Sequence, residues 1–335
     1  MNGEILIALL HLIFVFLVCF SLTKWWISIA KKNKLVGKDM NKYSKPEVPE
    51  AGGIAVVISI ILALLLYIAF KTFVLKTETH LIEVLTLIIT LTLACFIGFV
   101  DDILGWKKGL KGWQKILMTI PIAIPLMVIN AGQHTMSVPF MGAVDFGLFY
   151  PLVIVLIGVV GATNGYNLLA GYNGLEAGLG TIIFITLGIV SILTEQFWLA
   201  LIAGIVVFAL LAFLIFNKFP AKIFPGDSLT YSLGALIACF AILGNIEKLA
   251  IILFIPFIVE GILKARSKFK AENFGIPKKD GGIEPPYKQT YSLTHVALKF
   301  LKKIKPSKKV YETDIIWFLA IIEITLAIIA IIMVL

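Results

Sequence analysis

The chain is 335 residues long, 59% of its residues are hydrophobic and only 15% are charged. One soluble core does not need so much apolar side chain, so the composition excludes an ordinary water-soluble protein and favours a membrane protein. The net charge of +9 does not call for a nucleic-acid partner, because basic residues beside apolar runs more often set membrane orientation. Cys19, Cys95 and Cys239 all fall inside apolar runs, which excludes a disulfide framework or a cysteine metal site.

Apolar runs of about twenty residues, separated by polar breaks, predict ten membrane-spanning helices. No basic residue precedes the first run as a cleavable signal peptide would require, so we expect it to be a retained helix. The predicted spans are 5–29, 53–75, 82–100, 114–131, 148–168, 176–194, 197–216, 228–244, 246–264 and 314–335. The predicted fold class is an all-α membrane protein, with residues 1–335 forming a single integral-membrane domain.

The positions of lysine and arginine predict the orientation of these helices, since cytoplasmic loops carry the excess of basic residues. Twenty-six of the twenty-nine basic residues fall on one side of the predicted topology. Only Lys71, Lys76 and Lys248 fall on the other side. We therefore expect both termini outside the cell membrane and the break after the fifth span in the cytoplasm.

Two segments between the spans have a pattern of their own. Residues 264–313 form a long polar loop on the predicted cytoplasmic side, and its amphipathic piece "SLTHVALKFLKKI" is expected to lie on the membrane surface. The outer loop "AGQHTMSVPFMGAVDFG" contains glycines suited to turns and predicts a small hairpin.

Four polar clusters remain outside the spans, and the predicted orientation places all four on the cytoplasmic face. The first, "NKYSKPEVPEAGG" with Glu50, would indicate no more than a helix start if it stood alone. The second, "VDDILG", puts Asp101 and Asp102 directly after an apolar span, and adjacent carboxylates usually need a cation or a shared proton. A lysine-rich stretch follows and supplies charges suited to phosphate. Its members are Lys107, Lys108, Lys111 and Lys115.

The third cluster is "NGYNLLAGYNGLEAG", which contains Asn164, Asn167 and Asn173. Amide oxygens are hard metal ligands and amide hydrogens are donors, while Gly171 lets a ligand approach the backbone. Unpaired amides are costly near a membrane, which favours a functional site over a simple interhelical turn. The fourth cluster, "FPGDSLTYSLG", carries Asp227, whose pattern suits either a helix N-cap or a cation ligand.

In this order, the four clusters resemble motifs of the polyprenyl-phosphate N-acetylhexosamine-1-phosphate transferases, a family of ten-helix membrane enzymes, over nearly the whole chain. "AGYNG" followed by "LEAG" is similar to the eukaryotic and archaeal branch. Members of that branch transfer N-acetylglucosamine 1-phosphate from UDP-N-acetylglucosamine to dolichyl phosphate. The chain departs from the family near Arg266, where "RSKFK" stands in place of a bacterial His-x-His or a eukaryotic Arg-His-Arg motif.

The resemblance implies a Mg²⁺ cofactor, with Asn167 and Asp227 as its ligands. It also implies that Lys115 contacts the pyrophosphate of the nucleotide sugar. Asp101 and Asp102 are expected to orient or deprotonate the lipid phosphate. A single in-line displacement is favoured over a route through a phosphorylated aspartate, which stays open.

For substrate binding, the resemblance implies that Gly171 and Asn173 meet the uridine. Arg266, the only arginine of the chain, and Lys268 are expected to grip phosphate or sugar, because a guanidinium forms a fixed fork on phosphate oxygens. Glu50 and Asn164 match motif positions without a defined role.

The implied partners are a UDP-sugar, a polyprenyl (dolichyl) phosphate lipid and the membrane, and a homodimer is left open. The implied reaction is the first membrane step of glycan assembly, for N-glycosylation or cell-surface glycans. A multi-pass secondary transporter is the alternative from another class, although transporters should place polar groups near the middle of the bilayer. A CDP-alcohol phosphotransferase would need an Asp-Gly-x-x-Ala-Arg signature that the chain lacks.

Overall fold

The computed structural model describes residues 2–104, 112–138 and 142–335, with side chains from Leu6 onward except those of residues 136–138. Lys107, Lys108 and Lys111 therefore lie outside the described residues. The described helices, in chain order, are α1 Asn2–Lys32, α2 Gly53–Phe70, α3 Leu81–Leu104, α4 Gly112–Val128, α5 Val155–Leu168, α6 Leu175–Leu193, α7 Phe197–Asn217, α8 Gly226–Leu243, α9 Glu247–Leu253, α10 Ile255–Ala265, α11 Leu293–Ile304 and α12 Glu312–Ile332. Single π-helical turns extend α2 over Lys71–Leu75 and precede α5 over Tyr150–Ile154.

The predicted all-α membrane fold is confirmed. In the described part of the chain, eight helical segments are long and apolar enough to cross a membrane, and α4 is a shorter apolar helix of 17 residues. The ninth predicted span is divided at Phe254 into α9 and α10, and Pro256 is the second residue of α10. Proline lacks an amide hydrogen and cannot continue the hydrogen-bond ladder to the residue four positions before it, which accounts for the division.

Helix α8 lies at the centre of the bundle, since 83% of its span is buried. It packs against α3 and α5. Two glycines allow this close approach: a Cβ on Gly98 would lie 2.3 Å from the Asp227 carbonyl oxygen, and one on Gly234 would lie 2.4 Å from the Ala162 carbonyl oxygen. Small residues at helix contacts are typical of membrane bundles, where packing replaces the hydrophobic effect. As a result, the end of α3 meets the beginning of α8.

The described residues also form three small antiparallel hairpins. The hairpin predicted within residues 131–147 is confirmed as β3 (Thr135–Val138) and β4 (Gly142–Asp145), although residues 139–141 between them lie outside the described part. The hairpin of β1 (Val36–Lys38) and β2 (Glu47–Pro49) was not predicted, and it leads directly to Glu50. The third hairpin pairs β5 (Ile276–Pro277) with β6 (Ile283–Glu284).

The amphipathic piece of the long polar segment forms α11, as its pattern predicts. Ser292 caps the helix by accepting a hydrogen bond from the Thr294 amide at 3.2 Å. The buried carboxylate of Glu260 on α10 accepts the Leu293 amide at 2.6 Å. This contact docks the start of α11 on α10, while the position of α11 on a membrane surface stays a prediction.

Candidate active site

A cavity of about 540 Å³ lies where α3 and α5 end and where α4 and α8 begin. Its lining draws on all four polar clusters identified in the sequence. Seven of the predicted site residues are among those that line it: Glu50, Asp101, Asp102, Lys115, Asn167, Gly171 and Asp227.

Lys115 on α4 joins two carboxylates in this cavity. Its Nζ donates to Asp227 Oδ2 at 2.8 Å and forms an ion pair with Asp101. The Asp101 side chain is only 5% exposed, whereas that of Asp227 is 23% exposed. Asp227 is therefore the more accessible carboxylate, and its contact with Lys115 brings the charges of α3, α4 and α8 to one point.

Asp102 binds the beginning of α8. Its two carboxylate oxygens accept the Asp227 amide at 2.6 Å and the Ser228 amide at 3.1 Å. Free amides at a helix N-terminus and the helix dipole both favour a negative group there. A Cβ on Gly226 would lie 2.4 Å from Asp102 Oδ2, and Gly226 has a φ of +71°. Glycine is thus needed at 226 for both its conformation and its size.

Asn167, at the end of α5, faces the same cavity. Its Oδ1 accepts a hydrogen bond from the Thr230 hydroxyl at 2.8 Å. Together with the Asp227 carboxylate it offers hard oxygen donors. Within residues 2–104, 112–138 and 142–335, no group of three or more His, Cys, Asp or Glu side chains could hold a metal ion by itself. The donors therefore fit an ion that takes one or two protein oxygens and keeps its remaining ligands from water or phosphate, which is the habit of Mg²⁺.

The first cluster is attached to the fourth by main-chain hydrogen bonds. The Gly52 and Gly53 amides donate to the carbonyls of Phe224 and Pro225 at 2.9 and 2.8 Å, and the Phe224 amide donates to Pro49 at 2.7 Å. This pairing places the Glu50 carboxylate in the cavity wall. Burial, and then the negative charge of Asp227, raise the pKa of Glu50 from 4.5 to about 7.

The Asn-rich loop is held in shape by side chains from distant segments. Gly171 has a φ of +107°, its amide donates to Glu176 Oε1 at 2.6 Å, and its carbonyl accepts Asn41 Nδ2 at 2.8 Å. A Cβ at Gly171 would lie 2.7 Å from the Phe274 ring. Asn273 Nδ2 donates to both the Leu168 and the Ala170 carbonyls at 2.8 Å. The loop is therefore a fixed wall of the cavity.

Asn173 lies behind this wall, in a network of buried charged groups. Its amide donates to Glu312 Oε1 at 2.7 Å, and its side-chain Nδ2 donates to Asp39 Oδ2 at 3.0 Å. The Lys42 ammonium binds Glu312 and lies 3.4 Å from Asp39. Asp39 also lines the cavity, so the network connects Asn173 to the cavity through Asp39.

Three further predicted residues lie outside the cavity lining that the described residues define. Asn164 Nδ2 donates to Thr119 Oγ1 at 2.8 Å and to the Val160 carbonyl at 2.9 Å, which ties α5 to α4. Arg266 directly follows α10 and is exposed. Lys268 is exposed as well, with a φ of +54°. The structure thus brings seven predicted residues together in the cavity lining. Asn164, Arg266 and Lys268 lie outside this lining. Asn173 also lies outside it and is connected to it through its hydrogen bond to Asp39.

Several lining residues were not singled out from the sequence. Thr230 and Glu176 lie inside two of the quoted clusters, so their polarity was a usable signal. Asp39 and Phe274 had no such signal. Asp39 stands in a lysine-rich break, and Phe274 is one of several aromatic residues in the long polar segment.

Comparison with known proteins gives a consistent likeness. A sequence profile of glycosyl transferase family 4 matches residues 84–245. A protein of Saccharolobus solfataricus, provisionally named UDP-N-acetylglucosamine–dolichyl-phosphate N-acetylglucosaminephosphotransferase, is 36% identical over 302 residues, which are 88% of this chain and 89% of that protein. A protein of Sulfolobus acidocaldarius with the same provisional name is 32% identical over 331 residues, which are 97% of this chain and 95% of that protein.

A more distant likeness is to a bacterial protein. The phospho-N-acetylmuramoyl-pentapeptide-transferase of Halalkalibacterium halodurans is 33% identical over 269 residues, which are 76% of this chain and 80% of that protein. The family profile runs from α3 to just beyond α8 and so includes Asp101, Lys115, Asn167 and Asp227. Glu50 and Arg266 lie outside the matched range.

Proposed function

Since the chain belongs to glycosyl transferase family 4, we propose that it transfers N-acetylglucosamine 1-phosphate from UDP-N-acetylglucosamine to a polyprenyl phosphate such as dolichyl phosphate, releasing UMP. The observation that carries this proposal is the meeting of Asp101, Lys115 and Asp227 in one cavity of a membrane protein. Family membership sets aside the secondary-transporter interpretation. The reaction would be the first membrane step of glycan assembly, for N-glycosylation or cell-surface glycans.

The reaction balances as one displacement at phosphorus. An oxygen of the lipid phosphate attacks the phosphoryl group that carries the sugar, and the bond from that phosphorus to the oxygen bridging the two phosphates breaks. UMP leaves with the bridging oxygen and its electron pair. The lipid phosphate is already a competent nucleophile, so an aspartyl intermediate would add a step without gain. The product is a polyprenyl diphosphate that carries N-acetylglucosamine.

Lys115 is suited to bind the pyrophosphate. Its ammonium lies between Asp101 and Asp227 and is partly exposed to the cavity. A phosphate oxygen that enters the cavity can take the place of one carboxylate beside this ammonium. Because positively charged groups stabilise the negative charge on transferred phosphoryl groups, loss of Lys115 should slow the reaction.

Asp102 is suited to an orienting role. Its two oxygens accept the amides of Asp227 and Ser228 at the beginning of α8. The position of the Asp227 side chain therefore depends on this contact. Because Asp102 is occupied with these amides, Asp101 is the carboxylate better suited to contact the lipid phosphate. Its ion pair with Lys115 holds it at the cavity wall. We propose that Asp102 fixes the Asp227 turn and that Asp101 orients the acceptor through Lys115.

Asn167 and Asp227 are the residues we propose as ligands of Mg²⁺. Their oxygens face one cavity, and the partial exposure of Asp227 leaves it open to an incoming ion. When bound there, the ion would neutralise charge on the attacked phosphoryl group and on the leaving nucleotide. Thr230 holds the Asn167 amide oxygen through its hydroxyl, which keeps that ligand in place.

We propose that the cavity opens to the cytoplasm and that both termini lie outside the cell membrane, on the grounds of the lysine and arginine distribution. A nucleotide sugar arrives from the cytosol, and an isoprenoid lipid arrives from the bilayer. A cavity at the ends of the helices lets both substrates meet at the membrane surface.

The test is an assay of the purified protein with radiolabelled UDP-N-acetylglucosamine, dolichyl phosphate and Mg²⁺. We expect a labelled lipid product and UMP, no product with chelator, and no product from Asp227→Ala, which should still fold. A panel of UDP-sugars, including UDP-N-acetylmuramoyl-pentapeptide, measures selectivity. Transfer of the muramoyl-pentapeptide phosphate alone would contradict the proposed donor. A phosphorylated Asp101 or Asp102, or UMP release without lipid, would contradict the single displacement.

A further inference from the structure

A basic groove of about 360 Å³ lies beside the cavity, between α1 and the segment that joins α7 to α8. Three lysines and several apolar side chains line it. They include Lys24, Lys31, Lys222, Ile27, Val48 and Phe216. Lys24, Ile27 and Lys31 are spaced three and four residues apart on α1, so they share one face of that helix. The groove is therefore apolar between basic edges.

Within the described residues, the charge in the basic groove is only partly neutralised. Glu47 is the one acidic residue that lines it, which leaves a net excess of two positive charges. Lys24, Lys31 and Lys222 are exposed, and none of their ammonium groups has an ion pair or hydrogen bond recorded with the described residues. An anion of matching shape would satisfy them.

The groove stands where the apolar part of α1 ends. Residues 5–22 are almost entirely apolar, Lys24 is the first charged residue after them, and the adjacent Trp25 is 58% exposed. Tryptophan is enriched at the membrane–water boundary, and lysine stems lie along apolar surface while the ammonium reaches the headgroups. These features favour a position of the groove near the depth of lipid phosphates.

We propose that the basic groove binds the phosphodiester headgroup of an anionic membrane phospholipid. The lysine ammonium groups would contact the phosphate, and Ile27, Val48 and Phe216 would cover the glycerol and the first methylenes. This site is separate from the proposed transfer reaction and does not depend on it. The groove adjoins the cavity, because Val48 of β2 lines the groove and Glu50, two residues later, lines the cavity. The Glu50 carbonyl also accepts a hydrogen bond from Trp26 Nε1 of α1 at 3.0 Å.

The experiment is a lipid titration of the purified full-length protein, followed by native mass spectrometry. Phosphatidylglycerol is compared with phosphatidylcholine of the same acyl chains. The test variant is Lys24→Gln, Lys31→Gln and Lys222→Gln combined. The control variant removes the same charge from the same two segments, at residues outside the groove lining: Lys32→Gln, Lys34→Gln and Lys218→Gln.

We expect the wild type to bind one phosphatidylglycerol about tenfold more tightly than phosphatidylcholine, and the control variant to keep that preference. The test variant should fall to a preference below about twofold. An unchanged preference in the test variant, or an equal loss in the control, would overturn the proposal. If the triple variant fails to fold, Lys222→Gln alone is measured. Its preference for phosphatidylglycerol over phosphatidylcholine should be about threefold weaker than that of the wild type, and an unchanged preference would overturn the proposal.

Two competition measurements distinguish other sources of the same chemistry. Inorganic phosphate at millimolar concentration should not displace phosphatidylglycerol, because it lacks the apolar part; displacement would mean a simple anion site and would overturn the proposal. Dolichyl phosphate should not compete at equal concentration. Competition by it would make the groove a substrate site and would likewise count against a phospholipid.

Discussion

The two ends of the helix bundle carry cavities of nearly equal size and very different chemistry. The candidate active site, at the end of α3, measures about 540 Å³, and a cavity at the beginning of α3 measures about 550 Å³. His80, Glu83, Glu195 and Trp198 are among the residues that line the second cavity. There the His80 ring stacks on Trp198 at 4.5 Å, and its Nδ1 lies 3.8 Å from Glu83.

The difference shows that volume does not identify a reactive site, whereas the burial of charge does. In the second cavity His80 and Glu83 are 42% and 36% exposed, so water can solvate them. In the first, Asp101 is 5% exposed and is held beside Asp227 by one lysine. Gathering buried charges is costly unless their partners are well placed, and such clusters are typical of functional sites.

Among substitutions that leave Asp227 itself in place, Asp102→Asn should have the largest effect. The substitution replaces a carboxylate oxygen that accepts an α8 amide with an NH₂ group that cannot accept it, so the turn that carries Asp227 should move. We expect kcat/KM for transfer to fall by about 10³ while the protein still folds. The matched control is Glu83→Gln in the second cavity, which should stay within about twofold of the wild type. Comparable losses in the two variants would erase the distinction between the cavities.

Gly226→Ala should come next. A methyl group there would lie 2.4 Å from Asp102 Oδ2, and the residue needs a φ of +71°. We expect activity to fall by about 10², because small misplacements of reacting groups have effects of that order. Gly142→Ala is the control, since Gly142 has a φ of +75° and none of the described residues comes within 4 Å of its added Cβ. The control should lose about 1 kcal/mol of stability and no activity; equal inactivation would show that backbone strain, and not the Asp102 contact, is responsible.

Glu312→Gln should have a smaller effect, confined to substrate affinity. Glu312 accepts the Asn173 amide at 2.7 Å and pairs with Lys42, behind the cavity wall. We expect KM for the UDP-sugar to rise about tenfold, with kcat within about threefold of the wild type, because the loop that Asn173 belongs to loses a charged partner. Steady-state kinetics separate the two constants. A fall in kcat at unchanged KM would show that Glu312 does not act through nucleotide binding.

Helix positions were largely predictable from the sequence, because hydrophobic runs of membrane length leave few alternatives. The first predicted span, 5–29, lies within α1, Asn2–Lys32, and the outer hairpin follows from its glycines. The division at Phe254 was missed, since an apolar run does not reveal a single broken turn. Pro256 was the available signal.

The side-chain contacts of the site were less predictable. Polarity in an apolar setting marked Asp101, Asn167 and Asp227, which line the cavity. The same argument marked Asn164, whose amide instead binds Thr119 between two helices. Asp39 was missed because its bond to Asn173 joins residues 134 positions apart, and no local pattern records such a contact. Sequence polarity therefore finds buried polar groups without telling whether they face a cavity or another helix.

Glu50 gives the smallest effect and a direct test of the burial argument. Its pKa is raised to about 7, so between about pH 4.5 and 7 the folded protein holds a proton that the unfolded chain releases. Stability should therefore fall as pH rises through this window, and the cost should be complete above pH 7. Glu50→Gln keeps no ionisable group, so its melting temperature relative to the wild type should increase by a few degrees between pH 5 and pH 8. If thermal scans show the same difference in melting temperature between Glu50→Gln and the wild type at every pH in that range, the Glu50 carboxylate is solvated. The contrast between a buried and an exposed cavity would then lose its basis at this residue.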